Sequence, residues 1–207
     1  MTTGALVAQQ IFDRARQYIS AAGLDSEVNW HRGLDFRSFS EPQLLSELAW
    51  VILCSGFRES TVRRSFDHIS LCYFDWESSG LIRAHGDLCV RAAMSSFRNE
   101  AKLRAIVQCA DMIDSAGFER LKLLILRDPI AELQKFPFIG PITVWHLAKN
   151  VGCDVAKPDR HLVRLAANCG YDSVSRLCED VAKQTGEAVR VVDIIFWRYL
   201  ADNPRAQ

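Results

Sequence analysis

Apolar residues recur at spacings of three and four along most of this chain, and that period constrains its fold more than any other feature. The spacing places apolar side chains on one face of an α-helix, whereas the alternation typical of strands is nearly absent. Glycines and prolines divide the chain into about ten short helices. The sequence therefore predicts an all-α fold, with its clearest amphipathic stretches at Leu44–Cys54, Leu88–Met94, Ala101–Ile113 and Val189–Leu200.

Length and charge limit the classes of protein to which this chain can belong. A chain of 207 residues with 49% hydrophobic composition suffices for one domain. The 25 basic residues equal the 25 acidic ones, so any contact with a polyanion has to be local. Met1 to Ala22 is predicted to be an amphipathic helix rather than a signal peptide, and no apolar run is long enough to span a membrane. Asn29 to Ser40 is predicted to be an ordered loop with apolar anchors that include Trp30 and Phe39.

The cysteines are scattered singly and are odd in number, which indicates free thiols in a reducing compartment. We therefore expect an intracellular, cytoplasmic protein, associated with the nucleoid if it is bacterial. No pair has the spacing Cys-x-x-Cys, and no cysteine has a partner at metal-ligand spacing, so neither a metal nor another cofactor is expected. The seven are Cys54, Cys72, Cys89, Cys109, Cys153, Cys169 and Cys178.

Closely spaced prolines predict a tight hairpin between two helices. A helix that opens at Pro129 must stop before Pro137, because proline disfavours helical geometry in the residue before it, and a second helix begins at Pro141. The first amides of that second helix point outward, where the helix dipole favours an anion such as a phosphate. Since Pro141 has no N–H, the candidate donors are the amides of Gly140, Ile142 and Thr143. An ordinary helical corner that packs Phe136, Phe138 and Ile139 into the core explains the hairpin equally well.

A carboxylate follows the hairpin in the sequence Lys157-Pro158-Asp159. Pro158 holds Lys157 out of the helical region, so Asp159 falls in the first turn of the next helix. The dipole and the free amides there keep a carboxylate ionised. For Asp159 taken alone, simple helix capping is the stronger interpretation.

Together, the hairpin and the carboxylate resemble the helix-hairpin-helix DNA glycosylase superfamily, which includes endonuclease III and the 8-oxoguanine and alkyl-base glycosylases. The hairpin pattern Leu-Pro-Gly-x-Gly-x-x-Thr-Ala is matched by Phe136–Val144, and the pattern Asp-x-His-x-x-Arg by Asp159, His161 and Arg164. Phe97–Lys102 is similar to the start of the family's helix before the hairpin. Leu53–Arg58 is similar to its loop beside the lesion. The two core motifs are specific only together.

The resemblance implies a single domain, residues 1–207, with two helical lobes and the DNA site at the cleft that carries the hairpin. Lobe A would cover about 41–149, and lobe B about 1–40 plus 150–207. A monomer would bind double-stranded DNA, flip out a damaged or modified base and hydrolyse its N-glycosidic bond. Asp159 would stabilise the oxocarbenium-like transition state and orient the attacking water.

Further site residues are assigned by the same resemblance. His146 matches a position that faces the flipped base in some relatives, and Trp197 would stack on it, although core packing is the stronger alternative for both. Ser55, in the loop beside the lesion, completes the expected base pocket. Phe57 and Arg58 would fill the gap in the base stack or contact the orphaned base. DNA contacts are expected from these two residues and from Phe138, Gly140, Ile142, Thr143 and His161.

Two departures from the family bear on the chemistry. Members that also cut the strand carry a Schiff-base lysine where this chain has Ile142, so the match implies a monofunctional enzyme, with Lys157 and Lys149 as substitute amines if a lyase activity exists. The first hairpin glycine is replaced by Phe138, which must reach its backbone geometry without glycine's freedom. The alternatives are a DNA-binding module that has lost catalysis and an all-helical protein-interaction domain.

Overall fold

A computed structural model describes residues 3–203, which form thirteen α-helices and one 3-10 turn and contain no strand. The all-α prediction is confirmed. The helices are α1 Thr3–Ala21, α2 Asp25–Gly33, α3 Glu41–Cys54, α4 Glu59–Cys72, α5 Ser79–Ala84, α6 Gly86–Ala93, α7 Glu100–Ala116, α8 Phe118–Arg127, α9 Pro129–Leu133, α10 Thr143–Asn150, α11 Arg160–Asn168, α12 Val174–Thr185 and α13 Val189–Asp202, with the 3-10 turn at Phe74–Trp76.

The strongest helical patterns fold as predicted. The four amphipathic stretches form α3, α6, α7 and α13, and the N-terminal stretch forms α1, although Met1 and Thr2 lie outside the described residues. The prediction for Asn29 to Ser40 is wrong in its first half. Residues 29–33 belong to α2, where acidic residues in the first turn and basic ones in the last complement the helix dipole. Trp30 is exposed there, whereas Phe39 does anchor the loop that follows.

The chain divides into two compact units, here called unit 1 (Met1–Phe36 with Gly152–Gln207) and unit 2 (Arg37–Val151). Unit 1 contains α1, α2 and α11 to α13, and unit 2 contains α3 to α10. Their assignment to the two lobes of a glycosylase stays a prediction.

The core of unit 1 surrounds α13, which packs against α1, α2, α11 and α12. Phe196 of α13 meets Phe12 of α1 edge to face, with ring centroids 5.4 Å apart. Gly4 lets α1 approach the end of α11 closely, since a Cβ at this position would lie 2.0 Å from the carbonyl oxygen of Cys169. The first turn of α1 therefore has no room for a larger residue at position 4.

The core of unit 2 surrounds α7, which packs against α3, α5, α6 and α8. The end of α10 is tied to α3 by a polar contact inside this unit, in which the Asn150 side-chain amide donates to the Glu47 carboxyl at 2.7 Å. Burial raises the pKa of Glu47 to about 7, and the hydrogen bond from Asn150 opposes that shift. With this pKa, Glu47 gains or loses its proton near neutral pH, beside the C-terminal end of α10.

Several features of the described residues bear on function. All seven cysteines carry free thiols. None of the helices in residues 3–203 is long and apolar enough to cross a membrane. The same residues contain no group of three or more His, Cys, Asp or Glu side chains that could hold a metal ion.

The raised pKa of Glu47 predicts a pH dependence of stability. Protonation is favoured in the folded state, so this residue's contribution is fully present below the unfolded-state pKa of 4.5 and is lost as the pH rises through about 7. Glu47→Gln removes that loss. Its unfolding free energy relative to the wild type should rise by about 1–3 kcal/mol between about pH 5 and about pH 8, measured by urea denaturation. Ser46→Ala, a neighbouring change without an ionisable group, is the control, and a constant difference for Glu47→Gln would contradict the prediction.

Candidate functional site

The hairpin of unit 2 joins α9 to α10. Asp128 caps α9 by accepting a hydrogen bond from the Ala131 amide at 3.2 Å, and the helix ends at Leu133. The sequence predicts that the second helix begins at Pro141, but in the structure it begins at Thr143. Residues 141 and 142 form a turn, and the first helical bond there runs from the Val144 amide to the Gly140 carbonyl at 3.0 Å. The tight hairpin is present, and its second helix begins two residues later than the sequence predicts.

Phe138 occupies the left-handed position of this hairpin, with a φ of 62°. Such a conformation costs a residue other than glycine about 1–2 kcal/mol. Its side chain is 46% exposed, whereas Phe136 and Ile139 are buried. The interpretation of the hairpin as a corner that packs all three residues is therefore wrong for Phe138, because the left-handed backbone turns this side chain away from the core.

The amide of Gly140 is engaged inside the hairpin. It donates to the hydroxyl of Thr143 at 2.6 Å, and that hydroxyl lies 3.3 Å from the Gly140 carbonyl oxygen. The Gly140 amide, an expected phosphate donor, therefore already has an acceptor within the hairpin, because the threonine side chain folds back over the turn. Its contact with DNA stays a prediction. The amides of Ile142 and Thr143 remain candidate donors, and the Ile142 side chain is exposed beside them.

Asp159 of unit 1 is the residue that caps α11, rather than a member of its first turn. Its backbone is extended, and its Oδ1 accepts hydrogen bonds from the amides of His161 at 2.9 Å and Leu162 at 3.1 Å. Oδ2 takes no part in either bond. Asp159 therefore has the conformation of a helix cap. The two capping bonds fix the orientation of its half-buried carboxylate.

The turn before Asp159 is held by a residue that the sequence analysis missed. Asp193 of α13 is 1% exposed, and its Oδ1 accepts a hydrogen bond from the Lys157 amide at 2.7 Å. The Lys157 carbonyl in turn accepts from the Asp159 amide at 2.8 Å. A single aspartate within the apolar run Val191–Phe196 was the available signal, since a buried carboxylate requires a donor.

The other candidate residues of unit 1 are placed as follows. His161 is half-buried, and its Nε2 lies 3.4 Å from Nε of Arg160. Trp197 packs against the core of this unit, and its ring lies 4.7 Å from the guanidinium of Arg198. Core packing therefore accounts for part of the Trp197 surface. Lys157 is half-buried.

In unit 2, the loop between α3 and α4 carries Ser55, Phe57 and Arg58 together. Phe57 and Arg58 are exposed, whereas Ser55 is half-buried, as is His146 on α10. Lys149, also on α10, is buried. The role of Lys149 as a substitute amine stays a prediction, and its side chain has little exposed surface in this structure.

Comparison with known proteins gives one structural match. Neither the models of protein families nor the curated protein sequences match this chain. The chain is similar to the crystal structure of the Methanocaldococcus jannaschii 8-oxoguanine glycosylase/lyase in complex with a 15mer DNA containing 8-oxoguanine. The TM-score is 0.56 and the identity 17%, over 94% of this chain and 97% of that chain. At this identity the likeness establishes a shared all-helical fold.

The cap at Asp159 predicts a difference between two substitutions. Asp159→Ala removes the acceptor and should lower the unfolding free energy by about 1 kcal/mol, whereas Asp159→Asn keeps an acceptor oxygen and should change it far less. Chemical denaturation measures both. Ser173→Ala, which removes the cap of α12 in the same unit, sets the scale for a lost cap. An asparagine variant as unstable as the alanine variant would show that charge, rather than capping, stabilises this turn.

Proposed function

We propose that this protein is a DNA glycosylase that excises a damaged or modified base and leaves the sugar-phosphate strand intact. The observation that carries the proposal is the carboxylate of Asp159, which is fixed through Oδ1 by two amides at the start of α11. The fold shared with a glycosylase/lyase supports it. The matches to the hairpin and Asp-x-His-x-x-Arg patterns support it further.

The proposed chemistry requires a carboxylate close to the sugar. Breaking the N-glycosidic bond develops positive charge in an oxocarbenium-like transition state, which an ionised carboxylate stabilises. Because both capping bonds use Oδ1, Oδ2 of Asp159 is the oxygen assigned to the sugar and to the attacking water. The carboxylate pays little reorganisation cost during the reaction, since its orientation is already set by the backbone.

DNA binding is assigned to local contacts, in keeping with the balanced charge. The amides of Ile142 and Thr143 are proposed to bind a phosphate, which positions the duplex without reading its sequence. Phe57 and Arg58 are proposed to occupy the space left by the flipped nucleotide. The proposed base pocket comprises His146, Ser55 and Trp197. The protein would act as a monomer on the DNA inside the cell.

A non-catalytic DNA-binding module is the second candidate function. It is favoured by the fact that Asp159 already has a structural role as a helix cap. Such a module would bind DNA with a clear salt dependence but release no base. A protein-interaction domain, the third alternative, would show no salt-dependent DNA binding.

Base release tests the role of Asp159. The protein is incubated with duplexes that each carry one modified base, beginning with 8-oxoguanine because the structural neighbour is bound to such DNA. Abasic sites are then measured. Asp159→Asn should slow their formation by about a hundredfold or more while binding to a duplex with an abasic analogue persists. Asp172→Asn, at an exposed position of the same unit, is the matched control. Unchanged turnover in Asp159→Asn would contradict the assignment.

The product tests whether the enzyme also cuts the strand. Ile142 supplies no amine, so the product should be an intact abasic strand that breaks only after hot alkali. Borohydride added during the reaction should trap no covalent complex, because no imine forms. A trapped complex would overturn this point, and its loss in Lys157→Ala would identify the amine.

A further inference from the structure

Lys102 is a buried cation that contacts three separate segments of unit 2. It lies on α7, is 5% exposed, and donates a hydrogen bond from its ammonium to the Ile52 carbonyl of α3. The same nitrogen lies 5.1 Å from the ring centroid of Phe138 in the hairpin. It lies 5.6 Å from the ring centroid of Phe57 in the loop between α3 and α4.

These contacts offset the cost of burying the charge. An ammonium removed from water is stabilised by an opposite charge, by a hydrogen-bond acceptor or by the negative faces of aromatic rings, and Lys102 has an acceptor and two such rings. Burial lowers the pKa of Lys102, and the nearby Cys54 opposes that shift. Lys102 is therefore the cation that the rings of Phe57 and Phe138 share. An aliphatic side chain of the same length would provide neither the hydrogen-bond donor nor the positive charge.

Each ring lies on a segment that contains a residue with a positive φ. Phe138 has a left-handed backbone that costs free energy, and Phe57 follows Gly56, which has a φ of 77°. Phe57 also packs against Phe97, with ring centroids 5.2 Å apart. Even so, Phe57 and Phe138 remain 42% and 46% exposed, so each presents part of its ring to the solvent while contacting the same cation.

We propose that Lys102 is a positioning residue that couples the hairpin to the loop between α3 and α4, so that Phe138 and Phe57 form one preorganised aromatic surface for DNA. The identity of this partner rests on the proposed function. The coupling itself does not, because it follows from contacts within unit 2. A surface fixed before binding loses less conformational freedom when it meets nucleobases, which strengthens binding without any new contact.

Hydrogen exchange of the protein without DNA tests the coupling. Lys102→Met should raise amide exchange in residues 55–58 and 136–143 together, whereas Lys102→Arg, which retains a cation, should largely preserve protection. Exchange in α13 of unit 1 is the control and should not change. Faster exchange in only one of the two segments, or in neither, would overturn the coupling. If Lys102→Met does not fold, Phe138→Leu replaces it, with faster exchange in residues 55–58 expected and unchanged exchange there overturning the proposal.

DNA binding tests the partner. With a duplex that contains an abasic analogue, Lys102→Met should weaken binding about tenfold. The effects of Phe57→Ala and Phe138→Ala should be non-additive in the wild type and additive in Lys102→Met. Additive effects in both backgrounds would overturn the joint surface. If the wild type binds no DNA, the proposed function and this partner both fail, while the exchange experiment still decides whether Lys102 couples the two segments.

Discussion

Every helix begins with backbone amides that have no partner within the helix, and a fold built from short helices has many such ends. Among the described residues, six helices begin behind a side chain that accepts a hydrogen bond from one of these amides. Those side chains belong to Ser40, Ser78, Asn99, Asp128, Asp159 and Ser173. The starts of these six helices depend on this pairing, whereas α4 and α10, which follow the loop and the hairpin of the candidate site, begin without a side-chain cap.

Two features of the candidate site also depend on a side chain that accepts a hydrogen bond from a backbone amide. Asp159 accepts hydrogen bonds from two amides of α11 with one oxygen, and the other oxygen, which takes no part in these two bonds, is the one that the proposed function assigns to the sugar. In the hairpin, the Thr143 hydroxyl accepts a hydrogen bond from the Gly140 amide. At Asp159 the bonds cap a helix, whereas at Gly140 the bond closes the hairpin turn before α10, which has no side-chain cap.

Three polar side chains hold the segments around these features, and of these Asp193 and Lys102 are buried and Glu47 is half-buried. Asp193 accepts from the turn before Asp159, Glu47 accepts from the end of α10, and Lys102 contacts both the hairpin and the loop between α3 and α4. Burying such groups costs free energy that an apolar side chain would not require. Each of them gives in return a directional contact to a loop or a helix end. Apolar packing, which has no direction, could not fix these segments to the same degree.

The sequence alone determined the helical class, the principal helices, the hairpin between Pro129 and Asn150 and the capping of α11 by Asp159. These features depend on periodicity, on proline and glycine geometry and on bonds between residues two or three positions apart, all of which one chain displays directly. Only the tertiary structure decided that Trp30 is helical and exposed, that the Gly140 amide is occupied, that Phe138 faces outward and that Lys102 and Asp193 support the candidate site. Lys102 and Asp193 contact residues that are distant from them in the sequence. Phe138 lies 36 residues after Lys102, and Asp193 lies 36 residues after Lys157. Such pairs form because packing brings distant segments together, and no local pattern in the sequence records which segments will meet.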